Sequence, residues 1–452
     1  MKGNDYVKTP EISAKIVTRT DVVVVGGGPA GIAAAVSAAR NNVSVALVER
    51  YSYLGGLASG GMVLLLDDMH NDTEISVRGL GMEIIDRMHR KGLCVYPPEN
   101  DRDPSVRTTQ EMWEKWSRWG VFDFHRPKPH PIIFAASFDP DGFKQAALDM
   151  VGEANINLRL HSWFKSSLVK DGRIVGVLVQ SKEGTQAVLG DIVIDATGDL
   201  DVAVSAGAQY SEDSFIVSTV SRIGGVDTDT AEKFQYRQAE RFEEIEHEAK
   251  KIIGKTWQYW WLKTPLPGVV WCNCPHLKGF NGTKVADLTA AEFESRRRMQ
   301  ELLIFVRKNM PGFEAAYFID FAPQTGVRQT RMLKGEYIVT KQDVEKRVHF
   351  SDTVCRGRDY YTPYRALLPV EVNQLLVAGR HYSSTPQAQK VSREIPPCMA
   401  MGEAAGIAAS LAVSSDILVR DVDVGLIQNK MCAQGADPGH QPASNALIME
   451  TA

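Results

Sequence analysis

Residues 21–50, DVVVVGGGPAGIAAAVSAARNNVSVALVER, decide the fold. The four valines at 22–25 are typical of a short parallel strand that is buried on both faces. A glycine-rich turn, an alanine-rich helical stretch and a second apolar run from Val43 to Val48 follow in that order. The order predicts a strand, a helix and a parallel second strand, which together form the basic unit of an α/β fold.

The turn has the spacing G-x-G-x-x-G at Gly26, Gly28 and Gly31. Gly26 would permit the tight turn, Gly28 would let the backbone approach a pyrophosphate, and Gly31 would let the helix lie close to the strand. Pro29 and Ala30 begin the helix, whose N-terminus offers free N–H groups to phosphate oxygens. We predict a dinucleotide site here, with a ligand-free glycine turn as the alternative.

Glu49 ends the second strand, 18 positions after Gly31. A carboxylate at about this spacing accepts hydrogen bonds from an adenosine ribose. The neighbouring Arg50 would suit a 2′-phosphate, but Glu49 would repel that group, so we favour a ribose with free hydroxyls. Because FAD and NAD both carry an ADP half, this unit alone does not distinguish them.

A second glycine-rich segment, YLGGLASGG at 53–61, follows directly. We predict that Gly55, Gly56 and Leu57 continue along an extended dinucleotide, and a connection without a ligand is the alternative.

Two distant segments also end apolar strands in small residues. One is DIVIDATGD at 191–199, which ends in Ala196, Thr197, Gly198 and Asp199. The other is QLLVAGR at 374–380. Ligands of open α/β sheets lie at the carboxyl ends of strands, so both segments are candidates for the same site. For the first, a tight turn capped by its aspartate is the alternative.

The late stretch PPCMAMGEAAGIAA at 396–409 predicts a helix. Gly402 and Gly406 lie four residues apart among alanines, which gives one helix face almost no side chains. Such a face lets the backbone approach a flat ring; close packing against another helix is the alternative.

Composition narrows the class of protein. The chain has 452 residues, 51 basic and 55 acidic side chains, 44% hydrophobic residues and six scattered cysteines. This length predicts two or three domains, or one large fold with an insertion, and the near-neutral balance disfavours a nucleic-acid partner. Glycines and a proline interrupt the apolar stretch 22–39, and the N-terminus lacks the pattern of a secretory signal. We therefore expect a cytoplasmic protein without a membrane partner that acts on a small molecule.

Taken together, these segments resemble the FAD-dependent oxidoreductases of the two-dinucleotide-binding-domain type, which are distantly akin to fumarate reductase and succinate dehydrogenase flavoproteins. The resemblance covers nearly the whole chain and is weakest from about 211 to 315. It rests on VVVVGGGPAGIAAA…VALVER, YLGG, GDIVIDATGDLDVAVSAGA, TGVRQTRMLKGEYIVT, YTPYRALLPVEVNQLLVAGRHYSST and MAMGEAAGIAA. It implies FAD, with these residues at the cofactor: Gly26, Gly28, Pro29, Ala30, Gly31, Glu49, Arg50, Gly55, Gly56, Leu57, Ala196, Thr197, Gly198, Asp199, Gly379, Arg380, Gly402, Ala405, Gly406 and Ile407.

The expected fold class is α/β: a Rossmann-like FAD-binding domain with a central parallel sheet, interrupted by a mixed α+β substrate domain. The predicted divisions are a discontinuous cofactor domain at 17–60, 135–210 and 360–415, a substrate domain at 61–134 and 211–359, and a C-terminal extension at 416–452.

The resemblance also brings the Gly-Arg segment to the flavin, so Arg380, His381 and Tyr382 are the candidate catalytic residues. The family often carries a cysteine where this chain has His381, so the family's role for that position does not transfer. Further candidates that would anchor a substrate carboxylate or the cofactor are Arg328, Arg331, Tyr364 and Arg365, and weaker candidates for proton transfer are Arg393 and Glu394. A structural role is the alternative for each: Arg328 or Arg365 would pair with an acid, and His381 would be a satisfied polar residue.

Aromatic residues are concentrated in two places. Trp113, Trp116 and Trp119 have the spacing of one helix face, which favours packing or a subunit interface over a substrate pocket. The second group would wall a pocket for an apolar or ring-containing substrate. It consists of Trp257, Tyr259, Trp260, Trp261 and Trp271.

We predict no metal. CNCPH at 272–276 is half of a zinc site without a second pair of ligands, so buried thiols are the better interpretation. The acidic run at 67–74, which contains Asp67, Asp68, His70, Asn71, Asp72 and Glu74, fits no alternating cation loop and is interpreted as a solvated loop.

The resulting hypothesis is an FAD-dependent dehydrogenase or oxidase that moves a hydride between a CH–OH, CH–NH or CH–CH unit and the flavin. The electron acceptor is not identified, and a homo-oligomer stays open. A nucleic-acid-modifying flavoprotein and a flavin electron-transfer subunit are the alternatives. A second G-x-G-x-x-G after a strand and close cysteine pairs of the redox type are missing from the sequence, which argues against an NADPH domain and a disulfide reductase.

Overall fold

The structure, a computed structural model, describes residues 13–70, 74–122, 133–254, 260–444 and 446–448. The strands are β1 (Lys15–Val25), β2 (Val45–Val48), β3 (Leu65–Leu66), β4 (Cys94–Val95), β5 (Ala136–Phe138), β6 (Asn157–Arg159), β7 (Trp163–Lys170), β8 (Arg173–Ser181), β9 (Gly184–Asp195), β10 (Tyr210–Glu212), β11 (Val217–Ser218), β12 (Ser221–Gly224), β13 (Trp261–Lys263), β14 (Val270–Cys272), β15 (Tyr317–Phe321), β16 (Gly326–Val327), β17 (Arg331–Leu333), β18 (Val348–His349), β19 (Thr353–Arg356), β20 (Tyr361–Pro363), β21 (Leu375–Val377) and β22 (Leu447–Ile448).

The α-helices are α1 (Pro29–Arg40), α2 (Gly56–Ser59), α3 (Leu80–Arg90), α4 (Glu99–Arg102), α5 (Gln110–Trp116), α6 (Pro140–Glu153), α7 (Asp201–Ser205), α8 (Thr228–Arg237), α9 (Ala239–Ile253), α10 (Val285–Asn309), α11 (Lys341–Glu345), α12 (Pro386–Ser392), α13 (Ile395–Ser415) and α14 (Val424–Ala433). Short 3₁₀ turns occur at Ser117–Trp119, Tyr364–Leu367 and Val419–Asp421.

The central sheet has the strand order β6-β2-β1-β9-β8-β7, with β21 also paired to β9. The pairs β6·β2, β2·β1, β1·β9 and β21·β9 are parallel, whereas β7, β8 and the first half of β9 form an antiparallel ribbon. Val25 pairs with Val48 on one side and Asp195 on the other, and Val377 pairs with Asp195. The carboxyl ends of four parallel strands therefore meet at one edge of the sheet, as the predicted α/β fold requires.

Both faces of this sheet are covered, which explains why β1 ends in a continuous run of valines rather than an alternating pattern. Val22 and Val24 pack into the core that contains α1, α6 and α13. Val23 and Val25 pack on the opposite face against the antiparallel ribbon and α7. All four side chains are at most 2% exposed.

Helices α1 and α13 pack in direct backbone contact. A Cβ atom on Gly402 would lie 2.1 Å from the Ala30 carbonyl oxygen, and one on Gly406 would lie 2.2 Å from that of Ala34. The Ser37 hydroxyl completes the contact by donating to the Glu403 carbonyl at 2.7 Å. Because residues 402 and 406 meet residues 30 and 34 in the same order, the two helices run parallel and their N-termini lie at the same end.

Helix α13 also satisfies the length and hydropathy criteria for a membrane span, but 78% of its most apolar stretch is buried inside the protein. Its apolar character is therefore accounted for by its place in the core between α1, α3 and α14.

A second, antiparallel sheet has the order β13-β14-β12-β15. Helices α8, α9 and α10 cover it and enclose a separate core. Arg222 of β12 joins this unit to the central one, because its guanidinium donates to the carboxylates of Asp320 and Asp139, both at 2.6 Å. Asp139 in turn caps α6 by accepting from the backbone N–H groups of Asp141 and Gly142.

The strands of the central sheet come from the predicted cofactor segments and those of the second sheet from 211–359. Several strands pair across the predicted divisions. Strand β20, in the predicted cofactor segment 360–415, pairs with β19 of 211–359, and β22 of the predicted C-terminal extension pairs with β18. Strand β5 was placed in the cofactor segment 135–210, but it pairs with β3 and β4 in a three-stranded sheet. Its residues 136–138 thus continue the layer formed by 61–134, and the domain boundaries themselves stay a prediction.

The α1–α13 contact predicts the effect of a single methyl group. Gly406→Ala should lower the free energy of unfolding by about 1–3 kcal/mol, since the helices would have to separate. Gly152→Ala is the matched control, because Gly152 is exposed near the end of α6 with no atom near its Cβ direction. The Gly152→Ala substitution should leave the free energy of unfolding unchanged or raise it slightly. Urea unfolding of the FAD-loaded protein would decide, and equal stability of Gly406→Ala and wild type would contradict the contact.

A buried carboxyl on α13 predicts a pH dependence of stability. Glu403 accepts from the Leu80 N–H at 3.0 Å, and its other oxygen has no partner among the described residues. Burial raises the pKa of Glu403 to about 7, so the folded state holds this proton more tightly than the unfolded state. The contribution of Glu403 to the free energy of unfolding is therefore greatest below about pH 4.5 and is lost as the pH rises through about 7.

Glu403→Gln should remove that decline. The difference in unfolding free energy between variant and wild type should shift in the variant's favour by roughly 3 kcal/mol between pH 4.5 and pH 8. Urea unfolding at several pH values measures this difference, and parallel pH profiles of the two proteins would contradict the assignment.

Candidate functional site

A cavity runs along the edge of the sheet where β1, β2, β9 and β21 end; we call it the edge cavity. Together with the space that is open to solvent, it measures about 1110 Å³. The predicted cofactor residues that line it are Gly26, Gly28, Pro29, Ala30, Glu49, Arg50, Gly56, Leu57, Ala196, Thr197, Gly198, Gly379 and Arg380. The structure therefore brings segments that are up to about 350 residues apart in sequence to one cavity.

The three glycines of the first turn have three different surroundings. Gly26 has φ +106°, and a Cβ on it would overlap the Ala196 carbonyl. A Cβ on Gly31 would lie 1.8 Å from the Gly26 carbonyl oxygen, so this glycine permits the close approach of helix and strand. Gly28 faces open space, with only the Gly56 Cα at 3.9 Å, and it caps α1 without a side-chain hydrogen bond. Bare backbone and free helix N–H groups thus face the cavity at this point.

Glu49 links the first glycine loop to the backbone that follows the second strand. Its Oε2 accepts from the Gly27 N–H at 2.6 Å, and its Oε1 accepts from the Tyr51 N–H at 2.8 Å. Burial raises the pKa of Glu49, although these two N–H groups and Arg50 oppose the rise. The carboxylate borders the cavity, where it retains lone pairs for a ribose hydroxyl.

Aromatic side chains surround the end of the cavity next to Glu49. The Arg50 guanidinium lies 5.0 Å from the Tyr51 ring centroid and 5.5 Å from that of Trp163. Tyr51 and Trp163 line the cavity and meet edge to face at 6.2 Å. This end suits a flat heteroaromatic ring. Sequence reasoning missed both residues, although the aromatic neighbours of Glu49 in ERYSY were the available signal.

Arg380 and Asp199 form an ion pair beside the cavity, with Nη2 to Oδ1 at 2.8 Å. The Asp199 carboxylate also accepts from the Thr330 hydroxyl at 2.7 Å. The pKa of Asp199 is lowered: burial opposes ionisation, but the Arg380 charge and the Thr330 hydroxyl outweigh it. Gly198, with φ +82°, leaves the room that the guanidinium occupies, since a Cβ there would lie 2.7 Å from its Nη1.

His381 lines the cavity but is only 1% exposed. Its Nε2 lies 3.1 Å from the Asp195 carbonyl and 3.2 Å from the Asp195 carboxylate. The same carboxylate accepts from Thr197 and from the Ala203 N–H, so His381 supports the β9 turn. Its Nδ1 has no partner among the described residues. That nitrogen is the only part of the ring left for a ligand, and a catalytic role of His381 stays a prediction.

Three predicted site residues are structural instead. The Tyr382 hydroxyl lies 2.7 Å from that of Ser392, and the side chain is fully buried outside the edge cavity. Tyr364 donates to the Val419 carbonyl at 2.7 Å, and Arg365 lies over the Tyr337 ring and beside Asp352. None of the three lines a cavity that could hold cofactor or substrate in the described part of the chain, so the structure corrects these assignments.

Seven predicted cofactor residues lie behind the cavity wall. Gly31 and Gly55 shape the two glycine loops, and Asp199 acts through Arg380. The small-residue face of α13 packs on α1 rather than against a ring, which settles the two alternatives in favour of helix packing. This correction covers Gly402, Ala405, Gly406 and Ile407. The N-terminal turn of α13 takes their place at the cavity through Ile395 and Cys398.

A second cavity, which we call the chamber, adjoins the first and measures about 1220 Å³ together with the space that is open to solvent. The two share five lining residues: Leu57, Val63, Arg328, Arg393 and Glu394. The chamber lies between the central unit and the second sheet, from which Trp271 and Asn273 reach it. The candidates Arg328, Arg393 and Glu394 lie at the junction of the two spaces, and their roles stay predictions.

Arg328 is held at this junction by neutral acceptors. Its Nη2 lies 2.9 Å from His276 Nε2 and 3.4 Å from Asn273 Oδ1. Burial and the charges of Arg328 and Arg393 lower the pKa of His276, so its neutral ring accepts the hydrogen bond. Burial and the Arg393 charge lower the pKa of Arg328 to about 9, which leaves it cationic at neutral pH.

The run interpreted as a solvated loop contains two carboxyls that border the chamber, Asp67 and Asp68. Tyr360 donates to the Asp68 carboxylate at 2.8 Å, whereas no other described residue donates to that of Asp67. Burial and the negative charge of Glu394 raise the pKa of Asp67 to about 7, and burial with Asp67 raises that of Asp68 well above its usual range. The signal in the sequence was an acid pair directly after a buried apolar run, LLLDD. Asn71 and Asp72 lie outside the described residues.

The two predicted groups of aromatic residues lie mostly in protein cores rather than along a cavity. Trp116 is buried and donates to Asp101 at 2.8 Å, and Trp113 meets Phe122 edge to face, so this group packs internally. Trp260 and Trp261 are fully buried against Phe313 in the core of the second sheet. Of the described members only Trp271 lines the chamber; Trp257 and Tyr259 lie outside the described residues.

The two cysteines of the segment CNCPH at 272–276 are buried thiols. Cys272 and Cys274 are fully buried and free, and burial raises the pKa of both thiols. Within the described ranges, no group of three or more His, Cys, Asp and Glu side chains is arranged to hold a metal ion.

A glycine turn that presents bare backbone to a cavity, with an acid at the end of the next strand, defines a dinucleotide-binding α/β protein. The family model described as FAD dependent oxidoreductase matches residues 21–360 and 356–431, and the chain belongs to this family. This confirms the resemblance found in the sequence and FAD as the cofactor.

A comparison with solved structures found similar proteins. The myxobacterial chondrochloren halogenase, described as an FAD-dependent halogenase variant, has a TM-score of 0.50 at 12% identity, over 91% of this chain and 78% of that one. The p-nitrophenol 4-monooxygenase of Pseudomonas putida has a TM-score of 0.47 at 12% identity, over 94% and 88%. A geranylgeranyl bacteriochlorophyll reductase-like protein of Thermoplasma acidophilum has a TM-score of 0.44 at 13% identity, over 94% and 85%.

The residues present fit FAD. The backbone at Gly28 leaves a space that a Cβ would fill, and the parallel helices α1 and α13 direct the positive ends of their dipoles towards the same edge. Glu49 suits the ribose, and the buried Nδ1 of His381 leaves one polar atom for the cofactor. FAD would therefore extend from the Tyr51–Trp163 end towards the junction with the chamber.

The open space at Gly28 makes a specific prediction. Gly28→Val should fold normally, since the backbone is extended at φ −77° and no protein atom lies within 3.9 Å of the new Cβ direction. It should nevertheless lose FAD, because the side chain would occupy the pyrophosphate position. The measurements are the ratio of flavin to protein after purification and circular dichroism of the same sample. Gly152→Ala should remain fully loaded, and a fully loaded yellow Gly28→Val would contradict the assignment.

Proposed function

We propose that this FAD-dependent oxidoreductase is a dehydrogenase or oxidase that takes a hydride from a CH–OH, CH–NH or CH–CH unit of a small organic acid. The observation that carries the proposal is the chamber, which opens into the edge cavity through five shared residues. A substrate in the chamber would present one end to the flavin while its remainder stays enclosed.

The charges of the chamber favour an anionic substrate. Its cations are Arg328, Arg358, Lys390 and Arg393. They outnumber its ionised carboxylates near neutral pH, because the pKa values of Asp67 and Asp68 are raised. Arg328 and Arg393 stand at the junction with the edge cavity, so a bound carboxylate there would lie close to the reacting carbon.

The rest of the wall favours an apolar portion in the same molecule. Phe122, Val220, Leu262 and Trp271 are buried side chains that line the chamber away from the junction. A carboxylate at the arginines and a hydrocarbon or ring portion against this wall would fix the orientation of the substrate. Such orientation is the main contribution of a protein to a reaction whose redox chemistry belongs to the cofactor.

When bound, FAD supplies a two-electron acceptor for the hydride. The residues of the chain bind and orient the acid, exclude water with the apolar wall, and accept the accompanying proton. A chamber beside the cofactor site favours an enzyme with its own small substrate. A flavin subunit that only transfers electrons needs no such chamber. The net charge of −4 likewise gives no support to a nucleic-acid substrate.

The test is anaerobic reduction of the FAD-loaded protein by a panel of 2-hydroxy acids, amino acids and saturated acids with apolar side chains, followed by bleaching of the flavin absorbance. At least one acid should bleach the flavin, and its neutral amide should have a kcat/KM at least about tenfold lower, since roughly 1.4 kcal/mol of charge pairing is lost. Readmission of oxygen then distinguishes an oxidase from a dehydrogenase.

Arg328→Met should raise KM for the acid by about tenfold or more while leaving KM for the neutral amide unchanged. Arg241→Met is the matched control, since Arg241 is an exposed residue of α9 that pairs only with its helix neighbour Glu244. Reduction of the flavin by a protein partner but by no compound of the panel would favour an electron-transfer subunit and contradict the proposal.

A further inference from the structure

We propose that the Asp67 carboxylate is the base that accepts the substrate proton during oxidation. This inference rests on the proposed function and assigns a catalytic group to its chamber. Asp67 follows β3 and borders the chamber, where its side chain is partly exposed. Neither Asp67 nor Trp271 was expected at a proton-transfer site from the sequence.

Asp67 is distinguished from the neighbouring carboxyls by its hydrogen bonds. Asp68 is occupied by the Tyr360 hydroxyl at 2.8 Å, and Glu394 lies 3.1 Å from the Arg393 guanidinium. Asp67 has neither an ion pair nor a hydrogen bond from another residue in the part of the chain that the structure describes. Both oxygens of Asp67 therefore remain available to a ligand, whereas Asp68 and Glu394 each use one oxygen in a contact with the protein.

The groups around Asp67 come from every segment that borders the chamber. Asp68 and His70 lie on its own loop, and Glu394 and Arg393 lie at the start of α13. The remaining charged and titratable groups are Arg358 and Tyr360 after β19, Arg328 after β16, and Lys390 on α12. Burial and Glu394 raise the pKa of Asp67, whereas Arg393 and Arg358 lower it. This balance keeps Asp67 able both to take up and to release a proton near neutral pH.

A separate observation indicates a polar ligand in the chamber. Trp271 lines the chamber and is 2% exposed, and its indole N–H has no hydrogen-bond partner among the described residues. A buried donor without a partner is costly, and a ligand acceptor atom in the chamber would satisfy it. The same cavity thus offers a hydrogen-bond donor, cations for an acid group and an unoccupied carboxylate.

The step balances for a CH–OH or CH–NH substrate. The C–H bond breaks and its hydrogen leaves with both electrons for the oxidised flavin. The O–H or N–H bond breaks, its proton goes to an Asp67 oxygen, and its electron pair forms the C=O or C=N bond. The substrate loses two electrons and the flavin gains two. Asp67 changes from carboxylate to carboxylic acid and later returns the proton to solvent.

The first experiment measures the rate of flavin reduction by anaerobic stopped flow, with the fastest-reacting acid of the panel. In the wild-type holoenzyme the rate should rise with pH through about 7 and then level off, because the base must be ionised. Asp67→Asn should lower the plateau by about 10²–10⁴-fold and remove the rise. Asp171→Asn, in the exposed β7–β8 turn at φ +51°, is the matched control and should behave as wild type.

The second experiment does not depend on turnover. Infrared spectra of the substrate-free holoenzyme, recorded from pH 5 to 9, follow the C=O band of protonated carboxyls. A band that disappears with a midpoint near 7 should be present in wild type and in Asp171→Asn and missing in Asp67→Asn. Glu403→Gln identifies the band of the other carboxyl that titrates near 7, so the two are not confused.

The outcomes are distinguishable. If no compound of the panel reduces the wild-type flavin, the proposed function is wrong and this inference with it. If wild type is reduced and Asp67→Asn is reduced equally fast with the same pH profile, this inference alone is wrong. Persistence of the full infrared titration in Asp67→Asn also contradicts it, because another group would then hold the proton.

Discussion

The contact between α1 and α13 is the constraint on which the site depends. Gly402 and Gly406 lie directly on the Ala30 and Ala34 carbonyls, so the two helices approach more closely than any side chain would allow. The register is parallel, and both helix N-termini therefore lie at the carboxyl edge of the sheet. Glycine at these positions is needed for geometry rather than for contact with the flavin. The effect on the cofactor is indirect, through the placement of two helix N-termini at one cavity.

The chain links the cofactor site to the chamber over a short distance. The segment from Gly55 to Asp68 begins at the edge cavity, supplies Leu57 and Val63 to both cavities, and ends at the carboxyls of the chamber. The start of α13 makes the same connection from the opposite side through Arg393 and Glu394. Cofactor binding and substrate binding thus share backbone segments, and an acid in the chamber would be positioned by the same elements that hold FAD.

The first glycine turn and Glu49 were predictable because strand, turn, helix and acid are adjacent in the sequence and each step has a fixed length. The role of the α13 glycines was not decided by sequence, since a bare helix face suits a ring or a helix equally. Tyr382 was misplaced because proximity along the chain to Gly379 does not give the direction of a side chain, and its hydroxyl meets Ser392. Asp67 was missed because its surroundings come from residues 271, 358 and 393, which are remote in sequence.

The wall of the chamber is assembled from many separate segments. Phe122 precedes the central helix α6, Val220 and Trp271 belong to the second sheet or its approach, and Lys390 lies on α12. None of these positions takes part in the glycine contacts that fix the cofactor site. Wall residues can therefore change one at a time, and with them the shape of the chamber, while these glycine contacts stay intact. The same separation makes the wall the part of the molecule best suited to redesign of substrate preference.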